Sequence, residues 1–242
     1  MKTFCTLTLV AGLGLASSAT AAPLLSISTD QGSINTGTGV TDRYDAAAVT
    51  ITSDPGVVAL TAADLISDAS DGTGITGLTR FWNNPAGGFF SLDSNSGSTT
   101  NISDFSTGYF AFTVEATPGQ TLNLDDLAFN SATFTSNNRR GFEVYAEVDG
   151  GTFDSSDLLI DVNDENTARP SVSPRLSDLS DAKYQGIESV EFRIYPLTDL
   201  VGRSIEFQDI VVSGTVVPEP ASLVLVGAGL LCLTRGRGRR NA

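Results

Sequence analysis

The chain has 242 residues, with 28 acids against 14 bases and a net charge of −14. Such a balance repels nucleic acid and anionic lipid surfaces. There is no histidine, which excludes a Ser-His-Asp or Cys-His catalytic centre and the usual His-containing zinc sites.

The head comes first in chain order. Lys2 supplies a positive start, Phe4–Ala16 an apolar run, and Ala19-Thr20-Ala21 a small-residue cleavage site. This order reads as a secretory signal peptide over residues 1–21, cut by signal peptidase so that the mature chain begins at Ala22. Cys5 lies at the start of the apolar run rather than at the cleavage site, so it is not a lipoprotein cysteine. Cys232 lies near the other terminus, so residues 22–216 hold no cysteine and no disulfide. That body keeps nine bases against 27 acids, a net charge of −18, and is long enough for one domain with a sizeable core.

The body alternates apolar and polar residues with period two, the pattern of strands with one buried face. Short strands are expected at Leu24–Ser28, Ala48–Thr52, Leu78–Trp82, Phe89–Leu92, Leu122–Leu124, Leu127–Phe134 and Leu158–Asp161. Three segments carry a stronger signal. Phe110, Phe112 and Val114 share one face. Phe142, Val144, Ala146 and Val148 share another, with Glu143, Tyr145 and Glu147 expected outside. Val190, Phe192 and Ile194 are expected inside, with Glu191, Arg193 and Tyr195 outside. In the last strand Ile205 and Phe207 set one phase and Ile210 and Val212 the other, which predicts a β-bulge near Gln208-Asp209.

Turn chemistry separates these segments. Thr117-Pro118-Gly119-Gln120 reads as a turn, Asn137–Gly141 as a hairpin loop, and Asp149-Gly150-Gly151 as the start of another loop. Ser91–Ser106 is rich in Ser, Asn, Gly and Thr and reads as a long loop. Helix is scarce: a turn or two at Thr61–Ser67, with Thr61 as N-cap and Asp64 at N3, and another at Ser180–Gly186. Many short strands with Gly-rich turns predict an all-β fold, an antiparallel β-sandwich of jelly-roll-like form.

Several groups could carry chemistry. Phe81, Trp82, Phe89 and Phe90 flank Asn83–Gly88, as in a sugar-stacking platform or as two strand ends packing in a core. Asp149, Asp154, Asp157, Asp161, Asp164 and Glu165 crowd one stretch, which makes calcium a candidate ligand. The EF-hand pattern fails there: Asn166 stands in the glycine position, and Val172 where the bidentate glutamate belongs. Paired carboxylates could hydrolyse a glycoside, but no motif selects a pair. Asn101-Ile102-Ser103 matches a glycosylation sequon. The expectation is a non-enzymatic protein without a cofactor.

The tail is the most informative segment. Val217-Pro218-Glu219-Pro220-Ala221-Ser222 precedes an uncharged apolar run, Leu223–Leu233, and then Arg235, Arg237, Arg239 and Arg240. Pro218 and Pro220 disfavour helix before them, so the motif is expected to be extended and exposed. As a helix, Ala221–Thr234 would span about 21 Å, short of the roughly 30 Å bilayer core. The arginines suit a cytoplasmic stop.

Over residues 217–240 this order resembles the PEP-CTERM sorting signal of Gram-negative bacteria. The resemblance implies Pro218, Glu219 and Pro220 as the recognition element for an exosortase, a membrane transpeptidase-like enzyme. It also implies transient or stable membrane attachment through a short hydrophobic helix, then delivery to the cell surface or an extracellular matrix. Residues from about Tyr109 to Val217 are similar to the β-sandwich bodies that precede such tails. The expected organisation is therefore a signal peptide (1–21), a β-sandwich body (22–216) and a sorting signal (217–242). The rival expectations are a secreted carbohydrate-binding module, with extracellular polysaccharide as partner, and a glycoside hydrolase.

Overall fold

The computed structural model describes residues 22–29, 49–67, 79–84, 87–93, 105, 108–133, 140–162, 171–198 and 204–219. The signal peptide, the apolar run of the tail with its expected helix, and the four arginines lie outside these residues.

The strands are β1 (Ala22–Thr29), β2 (Val49–Ser53), β3 (Ile66–Ser67), β4 (Thr79–Asn84), β5 (Gly87–Asp93), β6 (Phe110–Glu115) and β7 (Gln120–Thr133). They continue as β8 (Arg140–Val148), β9 (Leu158–Val162), β10 (Ser171–Asp178), β11 (Gln185–Ile187), β12 (Ser189–Thr198) and β13 (Ser204–Pro218). They form two antiparallel sheets. The larger runs β10-β7-β13-β1-β2, with β11 beside β7 and the β4–β5 hairpin joined to β13 through β5. The smaller runs β3-β6-β12-β8-β9. Neighbours distant in sequence, such as β1 beside β13 and β6 beside β12, make this a jelly-roll-like sandwich.

The period-two residues meet between the sheets. Phe110, Phe112 and Val114 of β6, Phe142, Val144 and Ala146 of β8, and Val190, Phe192 and Ile194 of β12 are all buried. They face Ile27, Leu122, Leu124, Leu127, Phe129, Ile205, Phe207, Ile210 and Val212 of the larger sheet, within one cluster. Phe142 bridges the layers, its ring 5.8 Å from that of Phe129 and 5.1 Å from that of Phe207. Burying each such ring stabilises the fold by about 2–3 kcal/mol relative to leaving it in water.

The predicted bulge is present. Gln208 pairs with Asn130 and Val211 with Ala128, which leaves one extra residue on β13, and Asp209 takes a left-handed φ of 52°. A second irregularity offsets it. Ser213 pairs with Asp126 and Gly214 with Leu124, so Asp125 is the extra residue on β7. The two expected strands at Leu122–Leu124 and Leu127–Phe134 are therefore one strand, β7, whose inward phase moves from even to odd positions at Asp125. Its carbonyl is not idle: it accepts from the Leu179 amide at 2.9 Å.

Other expectations need correction. Strand β7 lies in the larger sheet and β8 in the smaller, so Asn137–Gly141 does not close a hairpin. The helical turns shrink to 3-10 turns at Ala62–Asp64 and Ala182–Tyr184. Thr61 caps the first through Asp64, whose carboxylate accepts from the Thr61 amide at 2.7 Å and from its hydroxyl at 2.6 Å. Ser91–Asp93 belong to β5 rather than to a loop, and Phe105, from the far end of that segment, packs on the smaller sheet. Glu143, Tyr145 and Tyr195, expected on a wet face, are 0%, 2% and 1% exposed. Their face is covered by the chain before β6.

Candidate functional site

Three regions hold the groups marked by the sequence. The first is the outer face of the smaller sheet. Alternation along β8 and β12 sends Glu143, Tyr145, Arg193 and Tyr195 away from the core, and an aromatic cluster closes over them. Phe105 lies edge-on to Tyr145 at 4.9 Å and to Tyr195 at 6.0 Å between ring centroids. Tyr109 lies 5.5 Å from Tyr195. The Arg193 guanidinium carbon sits 4.2 Å from the Tyr109 ring centre and 4.0 Å from that of Phe153, a cation–π sandwich. Polar atoms complete the closure. Arg193 Nη1 and the Tyr195 hydroxyl both donate to the Phe105 carbonyl, at 2.7 and 2.9 Å. Arg193 Nε donates to Glu191 at 2.6 Å, and the Tyr145 hydroxyl to Glu143 Oε2 at 2.7 Å.

Burial pushes the Tyr195 phenol up to about 12. Burial, with the Glu143 hydrogen bond and charge, also pushes Tyr145 well above the usual phenol range. Both hydroxyls stay protonated donors through the physiological range. A face expected to meet water is thus a satellite core.

The second region is the acidic stretch after β8. Asp149 Oδ1 accepts from the amides of Glu188 and Ser189 at 2.8 and 3.0 Å, which ties the β8 turn to the start of β12. Asp154 and Asp157 form a capping box around the 3-10 turn Ser155–Asp157: Asp157 accepts from the Asp154 amide at 2.8 Å, and Asp154 from the Ser156 amide at 2.7 Å. Asp157 is buried and pairs with Lys183 Nζ at 2.5 Å, with Glu147 3.8 Å from the same ammonium. Burial and the Asp157 hydrogen bond raise the Glu147 carboxyl, against the pull of Lys183. Burial disfavours charge on Lys183, but its acidic neighbours outweigh that and hold it above the usual ammonium range. Among the described residues no three acids converge in an arrangement for a metal ion. Asp164 and Glu165 lie outside them, as does Asn101 of the sequon. Asp149, Asp154 and Asp157 cap turns and pair within the chain.

The β4–β5 hairpin belongs here too. Its register sets Phe81 opposite Phe90 and Trp82 opposite Phe89.

The third region is the tail motif. Sequence reasoning treated it as a segment beyond the body, yet β13 runs into it: Val217 pairs with Thr121 and Pro218 with Gln120. The Glu219 amide then donates to the Gly119 carbonyl at 3.0 Å. Gly119 sits at φ 82° in the Thr117–Gln120 turn, closed by the Gln120 amide on the Thr117 carbonyl at 3.1 Å. A left-handed position of this kind favours glycine. Pro218 ends β13 and Glu219 follows it, and both are exposed, as expected. The signal for this docking was present: the alternation of Val212, Gly214 and Val216 never stops before Pro218. A polar cleft of about 280 Å³ opens here, lined among others by Glu115, Thr117, Gln120, Glu188 and Glu219. Ala22 opens β1 opposite Gly214, while Ala19, Ala21, Pro220, Arg235, Arg237, Arg239 and Arg240 lie outside the described residues. Among the described residues no helix is long and apolar enough to cross a membrane.

Comparison with known proteins gives one family match: residues 216–240 match the model of the PEP-CTERM protein-sorting motif. No curated protein matches the chain in sequence. Among solved structures, the chain is similar to the K1 cleaved adhesin domain of Lys-gingipain from Porphyromonas gingivalis W83, at 17% identity and TM-score 0.39, over 66% of this chain and 94% of that one. It is also similar to a non-crystalline cellulose-specific carbohydrate-binding module, CBM28, at 6% identity and TM-score 0.39, over 64% and 90% of the two chains. A xylan-binding module, CBM15, matches at 10% identity and TM-score 0.37, over 66% and 95%.

Proposed function

We propose that this chain, which carries a C-terminal PEP-CTERM sorting motif, is an exported, non-enzymatic component of the envelope or extracellular matrix, processed at its tail by an exosortase-type enzyme. The observation that carries this reading is the motif at 216–240, whose Pro218 and Glu219 stand exposed at the end of β13. The signal peptide read from residues 1–21 supplies the route out, and signal peptidase the first cut. The apolar run and its arginines hold the chain at the membrane until the second. The net charge of −14 suits a soluble surface outside the cell and no nucleic-acid partner.

The non-enzymatic reading draws support from what the candidate groups do. Tyr145, Arg193 and Tyr195 pack on the Phe105–Tyr109 segment, and Asp149, Asp154 and Asp157 hold turns together. The test is fractionation of cells with and without the exosortase. With it, the body is expected at the surface or in the medium, shortened at both ends. Without it, the tail should stay attached and the protein should stay in the membrane fraction. An intact N-terminus on a cytoplasmic protein would overturn the reading.

A further inference from the structure

The body of the chain carries one lysine. Lys2 belongs to the head, and Lys183 is the only other in the sequence. Lys183 sits in the 3-10 turn Ala182–Tyr184, directly before β11 of the larger sheet. Its ammonium reaches Asp157, in the 3-10 turn directly before β9 of the smaller sheet. Nζ stands 2.5 Å from Asp157 Oδ1, closer than the about 2.7–2.9 Å of a charge-assisted N–H···O bond. Neighbours on several elements fix this pair. Nζ also donates to the Ala146 carbonyl at 3.2 Å and lies 5.5 Å from the Tyr184 ring centre. The Asp154 amide donates to Asp157 Oδ2 at 2.8 Å, which leaves Oδ1 turned to the amine. Glu147 Oε2 is 3.8 Å from the same Nζ, and its carboxyl is hydrogen-bonded to that of Asp157. Glu147 is folded against Gly151, where any side chain would displace it. An ordinary surface ion pair needs neither a buried acid nor a second carboxyl bonded to it.

We infer that Lys183 and Asp157 condense into an intramolecular amide, with Glu147 as the proton relay. The Lys183 nitrogen bonds to Asp157 Cγ, and the Cγ–Oδ1 bond breaks. Of the three ammonium protons, one stays on the amide nitrogen. The other two pass through Glu147 to Oδ1, which leaves as water with the electron pair of the broken bond. Nothing is oxidised or reduced, and no co-reactant is needed. Glu147 suits the relay because burial and the Asp157 hydrogen bond raise its carboxyl. It can thus hold a proton beside the departing oxygen and take the next one from the amine. The Asp154 amide polarises Oδ2, the oxygen that remains. Holding amine and carboxyl in contact removes the entropy loss that separate reactants would meet. Burial of Asp157 keeps bulk water from reversing the step. The link ties the turn before β9 to the turn before β11, and so one sheet to the other. In a body without cysteine it takes the place that a disulfide holds in other exported proteins.

The experiment is tryptic mass mapping of the full chain, purified in detergent and unfolded before digestion. Trypsin cuts after Arg140, Arg175 and Arg193, and after Lys183 only if its amine is free, while the bond from Arg169 to Pro170 resists. The expected product is residues 141–175 joined to residues 176–193 and one water lighter than the two together. Fragmentation should place the link on Asp157 and Lys183. Full recovery of 176–183 and 184–193 as separate peptides, with no linked product, overturns the inference. Lys183→Arg keeps the positive charge and should give unlinked peptides only; a linked product there would place the bond elsewhere and overturn the assignment. Glu147→Gln should lower the linked share at least about tenfold. A Glu147→Gln chain linked as fully as the parent overturns the relay.

Discussion

The outer face of the smaller sheet and the motif end of the sandwich both gather groups that look ready to bind something, and they are built in opposite ways. On the sheet face, the Tyr145 and Tyr195 hydroxyls and Arg193 Nε and Nη1 all donate to neighbours, and Phe105, Tyr109 and Phe153 pack over them. At the motif end, Glu115, Glu188 and Glu219 are exposed around an open cleft, and the main chain supplies the order. Side-chain chemistry is spent on stability in the first region. In the second, the backbone does the positioning and leaves the side chains to face a partner.

That contrast can be broken by substitution. Tyr195→Ala removes a 1% exposed ring with three aromatic neighbours, and should cost about 3–4 kcal/mol in denaturant unfolding. A loss below about 1 kcal/mol would mean that the face is not packed as a core. Tyr145→Phe deletes only the hydroxyl that donates to the buried Glu143, and should cost about 1–3 kcal/mol because the carboxyl loses a partner it cannot replace with water. An unchanged stability would argue that water reaches Glu143 and that the face is open.

The pH dependence sharpens the same point. Tyr195 titrates at about 12 in the fold against an ordinary value of 10.0, with burial as the main cause. A folded pKa raised above the unfolded one gives stability that is complete below the unfolded value and is lost as pH rises through the folded value. The melting temperature should therefore fall between pH 10 and about 12, and Tyr195→Phe should flatten that fall. An equal slope in the variant would count against a dry cluster. The smallest effect belongs to the other region. Glu115→Gln and Glu219→Gln, on exposed side chains, should each change stability by less than about 0.5 kcal/mol. Glu219→Gln should nonetheless reduce release of the body by the sorting enzyme, scored as the ratio of medium to membrane protein. A variant sorted like the parent would show that the carboxylate is not read.

Much of the sandwich was legible because its inner face obeys period two. Phe110–Val114, Phe142–Ala146 and Val190–Ile194 announce their buried sides, and the slip at Gln208-Asp209 announces its bulge. What escaped depends on partners far along the chain. Tyr145 and Tyr195 alternate outward as expected, but only the return of Phe105 and Tyr109 makes that face dry. Asp125-Asp126 reads as a break between two strands, and only the offset bulge on β13 makes it one. The partners of the acids at 149–157 also come from far along the chain, the amides of Glu188 and Ser189 for Asp149 and the ammonium of Lys183 for Asp157. The motif was legible as chemistry, from Pro-Glu-Pro and the arginines. The alternation of Val212, Gly214 and Val216 carries a strand up to it, but the partner was not legible, because register with Gln120 cannot be read from residues 217–220 alone.

The central claim is that the motif begins inside the fold rather than after it. Native-state hydrogen exchange at the Glu219 amide tests this most directly, in the full chain held in detergent. The account predicts slowing of at least about tenfold relative to an unstructured amide, because that N–H is bonded to the Gly119 carbonyl. Exchange at the unstructured rate, with Val212 still protected, would contradict it and would leave the motif as a free tail.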